Sequence, residues 1–162
     1  MDPERRYFFP VIGHNFRLTN VAAAILCAQL DRLAEILPAR GAICEEYNRL
    51  LSDSTLLDPQ PHSKSSVWTP WLVSFVMKEG LGHLRESLLA HLDSKGIETR
   101  PFFIPVHELP PYEEEARVTS PLPITTHLAH SGFNLPTAST MKISDVQEIC
   151  AEIKAFEATL VS

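Results

Sequence analysis

Long runs of basic residues are missing from this sequence, and the one adjacent basic pair is Arg5-Arg6. The formal net charge is −6. Broad binding to nucleic acid needs a cationic surface, which this composition does not supply. We therefore expect no nucleic-acid partner.

A long apolar run is missing too. The longest one, residues 21–28, is too short to cross a bilayer. The N-terminal sequence MDPERRYFFP lacks the order of charged, apolar and small residues that marks a signal peptide. These absences predict a soluble cytoplasmic protein with no membrane partner.

Cysteine is scarce, and its three copies, Cys27, Cys44 and Cys150, are far apart in segments with a helical pattern. An odd number at such spacing argues against a disulfide framework or a zinc site, and predicts buried free thiols. His127 and His130 have a spacing that can ligate a metal on a helix, but no third ligand is evident. We expect no metal site.

The 162 residues are 44% hydrophobic and 21% charged, which is typical of one globular domain with a real core. Apolar residues recur at intervals of three and four in several segments, which predicts helices. These predicted helices cover residues 20–37, 39–51, 82–96, 126–130 and 142–160.

Specific residues are expected to bound these helices. Thr19 or Asn20 can cap the first one, and Pro38 is expected to end or kink it. Gly96 occupies a C-cap position. In the last helix Ser144 is the predicted cap and Gln147 completes a capping box.

Three segments rich in β-branched or aromatic residues are predicted strands: residues 67–77, 97–103 and 133–136. Pro70 interrupts the first of them, which favours a sheet edge or a bulge. The polar, proline-bearing stretch at 52–66 is a predicted loop. The order of elements predicts an α+β fold in which helices pack on a small sheet behind a long N-terminal helix.

Residues 101–136 are rich in proline and lack periodicity apart from the short helix. A connection of this length in a compact domain is usually functional.

Four blocks of the sequence, in this order, resemble one family. They are VIGHNFRLTNVAAAILCAQLDRL, RGAICEEYNRLL, SKGIETRPFFIPVHELPPY and GFNLPTAST. The set is similar to the C-terminal region of the DegT/DnrJ/StrS sugar aminotransferases, above all to the perosamine-synthase-like members. These are pyridoxal-phosphate enzymes of the aspartate aminotransferase fold.

The resemblance implies that residues 19–162 form the small C-terminal domain of such an enzyme. Residues 1–18 would be the connection from a large domain that carries the Schiff-base lysine. None of the five lysines lies at a matching position. The resemblance therefore implies that this chain contains no catalytic residue and is inactive alone.

In the intact enzyme the resemblance implies that an amino group passes from glutamate to a nucleotide-linked keto sugar in deoxyamino-sugar biosynthesis. Two alternatives stay open. A related branch of the family performs dehydration, and its deciding residue would also lie outside this chain. The chain could also be a non-catalytic binding or dimerisation module that self-associates through its apolar N-terminal helix.

Three residues carry the predicted contacts. Asn15 matches an asparagine of the family that reaches the cofactor phosphate across a dimer interface. Arg17 matches a basic position near the substrate diphosphate. His107 matches a histidine in the loop that approaches the nucleotide sugar. Their chemistry suits these roles, because an amide, a guanidinium and an imidazole can all donate to phosphate. From the residues alone, a turn-forming Asn15, a solvated Arg17 and a structural His107 are the simpler alternatives.

Overall fold

The computed structural model describes residues 6–13, 17–63, 65, 68–112, 114 and 121–160. The helices are α1 (Asn20–Asp31), α2 (Leu33–Leu50), α3 (Arg85–Ser94), α4 (Pro123–Ser131) and α5 (Ile143–Thr159). The strands are β1 (Leu57–Pro59), β2 (Val73–Met77), β3 (Arg100–Pro101) and β4 (Gly132–Leu135). The predicted α+β class is confirmed.

The strands form one antiparallel sheet in the order β1-β2-β4-β3. On β2, Val73, Phe75 and Met77 are buried, and the two residues between them are half-buried. Since side chains alternate along a strand, β2 turns one face toward the core. In register with it, Phe75 lies opposite Phe133 of β4.

Three helices complete the core over that face of the sheet. α2, α3 and α5 contribute the other large buried side chains: Ile43, Tyr47, Leu88, Leu92, Val146, Ile149 and Ile153. The hydroxyl of Tyr47 donates to the carbonyl of Pro136 at 3.1 Å, which links α2 to the end of β4. Burial also raises the pKa of Tyr47 well above its ordinary value.

Helix α1 begins as predicted but contributes nothing to the core. The Thr19 hydroxyl accepts a hydrogen bond from the Ala22 amide at 3.1 Å, as a helix cap should. No residue of α1 is buried. Its apolar side chains are exposed, with Val21 at 72% and Ile25 at 61%.

The predicted helix through residue 37 is wrong, and so is the prediction that Pro38 ends it. α1 ends at Asp31, and α2 begins at Leu33 and runs through Pro38. Pro38 lies in the second turn of α2, where it removes the hydrogen bond to the Ala34 carbonyl and its ring crowds that carbonyl without ending the helix. The break lies at Arg32, whose guanidinium instead pairs with Glu35 at 2.7 Å.

The predicted caps of the last helix are also wrong. α5 starts at Ile143, and the Asp145 carboxylate accepts from the Lys142 amide at 3.0 Å. Gln147 takes no part in a box. It donates to Glu46 on α2 at 3.2 Å, and together with Arg49 it lowers the pKa of Glu46 to about 2, Arg49 being the larger cause.

Two further details separate prediction from structure. Gly96 has a φ of +75°, which confirms its role in ending α3. Residues 57–59 were expected in a loop and instead form the edge strand β1, which pairs with β2 through Leu57 and Met77.

Among the helices described, none is long and apolar enough to cross a membrane.

The cysteines differ in exposure. Cys44 and Cys150 are buried as predicted, and the prediction is wrong for Cys27, which is exposed because α1 has no core contact. Burial raises the pKa of the Cys44 thiol to about 11 and that of Cys150 to about 12. A thiol reacts through its thiolate, so these two should be inert.

We expect one thiol per folded chain to react promptly with dithionitrobenzoate at pH 8, and the other two to react only after unfolding in guanidinium. Absorbance of the released product measures this. Cys27→Ser should abolish the prompt reaction. Prompt release of two or three equivalents from the folded protein would contradict the burial of Cys44 and Cys150.

Candidate functional site

The proline-rich connection after β3 forms an ordered loop in its described part. Two single 3-10 turns, Val106–Glu108 and Pro110–Tyr112, follow each other in it. Pro105 and Leu109 are buried beneath them. His107 lies on the first turn with about a quarter of its side chain exposed (27%), so it is anchored at its base and accessible to a ligand.

Glu108, next to His107, connects this loop to helix α4. One carboxylate oxygen, Oε2, accepts from Nε2 of His130 at 3.1 Å. The other, Oε1, accepts from the Thr126 hydroxyl at 3.3 Å and lies 3.8 Å from Nε2 of His107. The carboxylate therefore has two hydrogen-bond donors on α4 and one imidazole on its own turn.

The start of the loop is fixed by packing. Phe102 follows β3 and packs against Gly132 of β4, so closely that a Cβ atom there would overlap its ring. The next residue, Phe103, is 60% exposed. Its ring centroid lies 4.4 Å from that of Tyr7, which brings the segment before α1 against the loop.

A cavity of about 350 Å³ lies between this loop, α3 and α4. Arg6, Arg85 and His130 are its basic lining residues. Arg85 donates to the Ala129 carbonyl at 2.7 Å and pairs with Glu86, and Arg6 pairs with Glu98 at 3.6 Å. Because both arginines already have acidic partners, the cavity is electrostatically mixed and not a strong anion site.

Of the three predicted site residues, His107 lies on the loop described above. Arg17 is exposed, and among the described residues no hydrogen bond or ion pair joins its side chain to that loop. Asn15 lies outside the described residues, so its predicted contact stays a prediction.

Sequence reasoning missed Glu108 and Thr126 and considered His130 only as half of a metal pair. The described residues contain no group of three or more potential metal ligands arranged to hold an ion. The ring of His130 instead meets Glu108, which is 22 positions earlier in the sequence. No local spacing could have indicated that contact.

Comparison with known proteins gives the family. The model of the DegT/DnrJ/EryC1/StrS aminotransferase family matches residues 1–154. The chain belongs to this family. The resemblance of the four sequence blocks is thereby confirmed.

Family relatives of several kinds match the chain. It is 37% identical to the GDP-perosamine synthase of Caulobacter vibrioides, over 94% of this chain and 41% of that protein. It is 32% identical to the GDP-4-keto-6-deoxy-D-mannose 3-dehydratase of Escherichia coli O55:H7, over 60% of this chain and 25% of that protein. The chain thus spans about two fifths of the perosamine synthase.

Structural comparison confirms the fold as part of a fold-type I aminotransferase. Helicobacter pylori PseC, an aminotransferase involved in the biosynthesis of pseudoaminic acid, superposes with a TM-score of 0.78 at 23% identity. The match covers 91% of this chain and 40% of PseC. Family members depend on pyridoxal phosphate, and the structural relatives include a form with the bound cofactor.

Proposed function

We propose that this chain is the C-terminal small domain of a pyridoxal-phosphate-dependent aminotransferase that transfers an amino group from glutamate to a nucleotide-linked keto sugar. Residues 1–18 form the connection to the cofactor-binding domain, and residues 19–162 form the small domain. The assembled enzyme is a cytoplasmic homodimer. The relationship to GDP-perosamine synthases supports a GDP-linked sugar as substrate.

The observation that carries this proposal is the presentation of His107. Its imidazole lies on a turn with a buried base, beside a carboxylate, and is partly accessible. An imidazole in that setting can donate to a phosphate or a sugar hydroxyl. Arg17 is exposed and can pair two phosphate oxygens, and Asn15 can donate to the cofactor phosphate of the other subunit.

The described lysines do not fit a covalent cofactor site. Lys78 donates to the Ser54 carbonyl at 2.7 Å, Lys95 pairs with Glu152 at 3.4 Å, and Lys154 pairs with Asp53 at 2.9 Å. Lys142 is exposed at the start of α5, and Lys64 lies outside the described residues. These contacts support the proposal that this chain contributes binding groups and is inactive alone.

Borohydride trapping tests this division of labour. The chain is incubated with pyridoxal phosphate and reduced, and modified lysines are mapped by mass spectrometry. We expect sparse labelling spread over several lysines, because each described lysine is solvated or already bonded to oxygen. Stoichiometric, saturable labelling of one lysine would show that the chain holds its own cofactor site.

Two alternatives have specific support. The first alternative is the dehydratase branch, because the chain is also 32% identical to a sugar 3-dehydratase over 60% of its length. An assay of the full-length enzyme for ammonia release against amine transfer would separate the two. The exposed apolar side chains of α1 favour a self-associating module. A clean monomer in dilute size-exclusion chromatography would count against that module.

A further inference from the structure

We propose that Glu108 is the positioning residue of the substrate loop, residues 102–112. By bonding to helix α4 it fixes the turn that presents His107. This proposal rests on the proposed function only for the identity of the ligand that His107 contacts. The contact between loop and helix is a property of this chain.

The hydrogen bonds of Glu108 attach the loop to helix α4, and we call this attachment the Glu108 clamp. Its geometry differs from that of an incidental surface contact. Its two oxygens take bonds from different residues of α4, His130 at 3.1 Å and Thr126 at 3.3 Å. Glu108 is only 24% exposed. Hydrogen bonds to a partly buried carboxylate are stronger than those between neutral groups on an open surface.

The clamp acts where the loop otherwise has little regular structure. Backbone bonds within the loop are short-range, from the Glu108 amide to Pro105, from Leu109 to Val106 and from Tyr112 to Leu109. Each of these two turns contains only one or two backbone hydrogen bonds, so it is weakly stable by itself. Because α4 also packs beside β4, the bonds from Glu108 to α4 hold the two turns in place relative to the sheet.

His107 is the residue whose position depends on this attachment. It is adjacent to Glu108 in the same turn, and its Nε2 lies 3.8 Å from the Glu108 Oε1 that accepts from Thr126. If the carboxylate leaves α4, the turn and the imidazole move together.

The first measurement is amide hydrogen exchange by NMR on the 162-residue chain. In Glu108→Gln, which keeps the shape of the side chain and removes its charge, the Leu109 and Tyr112 amides should exchange about tenfold faster. Amides of α5 should keep their rates. His130→Ala, made from the other side of the contact, should give the same local loosening.

The matched control is Glu45→Gln, an exposed glutamate on helix α2, which should leave the loop amides unchanged. Equal exchange in Glu108→Gln and wild type would overturn the proposal. If Glu108→Gln unfolds globally, α5 amides lose protection as well. His130→Ala then decides, because a folded variant with an unchanged loop would also overturn it.

The second measurement uses GDP as the probe of the substrate site. If the chain binds GDP through His107, Glu108→Gln should raise the dissociation constant about tenfold in the wild-type chain and leave it unchanged in a His107→Ala chain. An equal rise in both chains would overturn the coupling to His107. Absence of any GDP binding by the wild-type chain would count against the proposed function, while the exchange rates still decide whether Glu108 holds the loop.

Discussion

Replacing Phe133 with alanine is expected to lower the free energy of unfolding by about 3–5 kcal/mol. Phe133 is fully buried in the middle of β4. It lies opposite Phe75 of β2 on one side and Pro101 of β3 on the other. Since the sheet joins through this residue, the surrounding backbone has little freedom to close the resulting cavity.

Urea unfolding followed by circular dichroism measures the effect. The control is Val21→Ala on helix α1, where the side chain is 72% exposed, and its effect should stay within about 0.5 kcal/mol. A Phe133→Ala variant as stable as this control would mean that the described core is not the one that stabilises the domain.

Replacing Gly132 with alanine is expected to destabilise the domain by about 1–3 kcal/mol and to displace the start of the loop at residues 102–112. The added Cβ would overlap the ring of Phe102 and lie 2.7 Å from the Leu128 carbonyl. Gly132 has a φ of −93°, which any residue adopts. The cost is therefore steric and falls on Phe102, the first residue of that loop.

Thermal unfolding and the amide spectrum of the loop measure this together. Gly41→Ala is the matched control, because Gly41 lies inside α2 with nothing within 4 Å of the added Cβ. That change should stabilise the domain by about 0.5–1 kcal/mol. If Gly132→Ala behaves like Gly41→Ala, the close packing of Phe102 on β4 is wrong.

Periodicity predicted the helices where apolar residues face a core. Leu88 and Leu92 are fully buried, and so are Val146 and Ile153. It failed where hydrogen bonds decide the outcome. The role of Asp145 depends on a side-chain hydrogen bond that a pattern of apolar residues does not contain, and the apolar pattern runs through the break at Arg32 without marking it.

The short edge strand β1 was beyond the sequence for a different reason. It takes only Leu57 into the core and ends in proline, so it shows no alternation long enough to recognise. The segment forms a strand because it pairs with β2. The prediction that Pro70 interrupts the strand expected at residues 67–77, at a sheet edge or a bulge, is wrong, because β2 begins only at Val73 and lies between β1 and β4.

The candidate site was predictable only in part. The long proline-rich connection and the family resemblance together predicted His107 as a site residue, and its role stays a prediction. Glu108 and His130 could not be joined from sequence, because the fold alone brings a loop turn and a helix end together. The predicted roles of Asn15 and Arg17 also stay predictions, because Asn15 lies outside the described residues and Arg17 is exposed.

The order of strands in the sheet also limits how the chain acquires its structure. β4 pairs with β2 across about sixty positions of sequence, and Gln147 of α5 meets Glu46 across about a hundred. Such distant pairings slow folding, since a long segment must be closed before any of them forms. During synthesis α2 must wait, its core face uncovered, until α5 has left the ribosome, so this interval is when the chain is most exposed to aggregation.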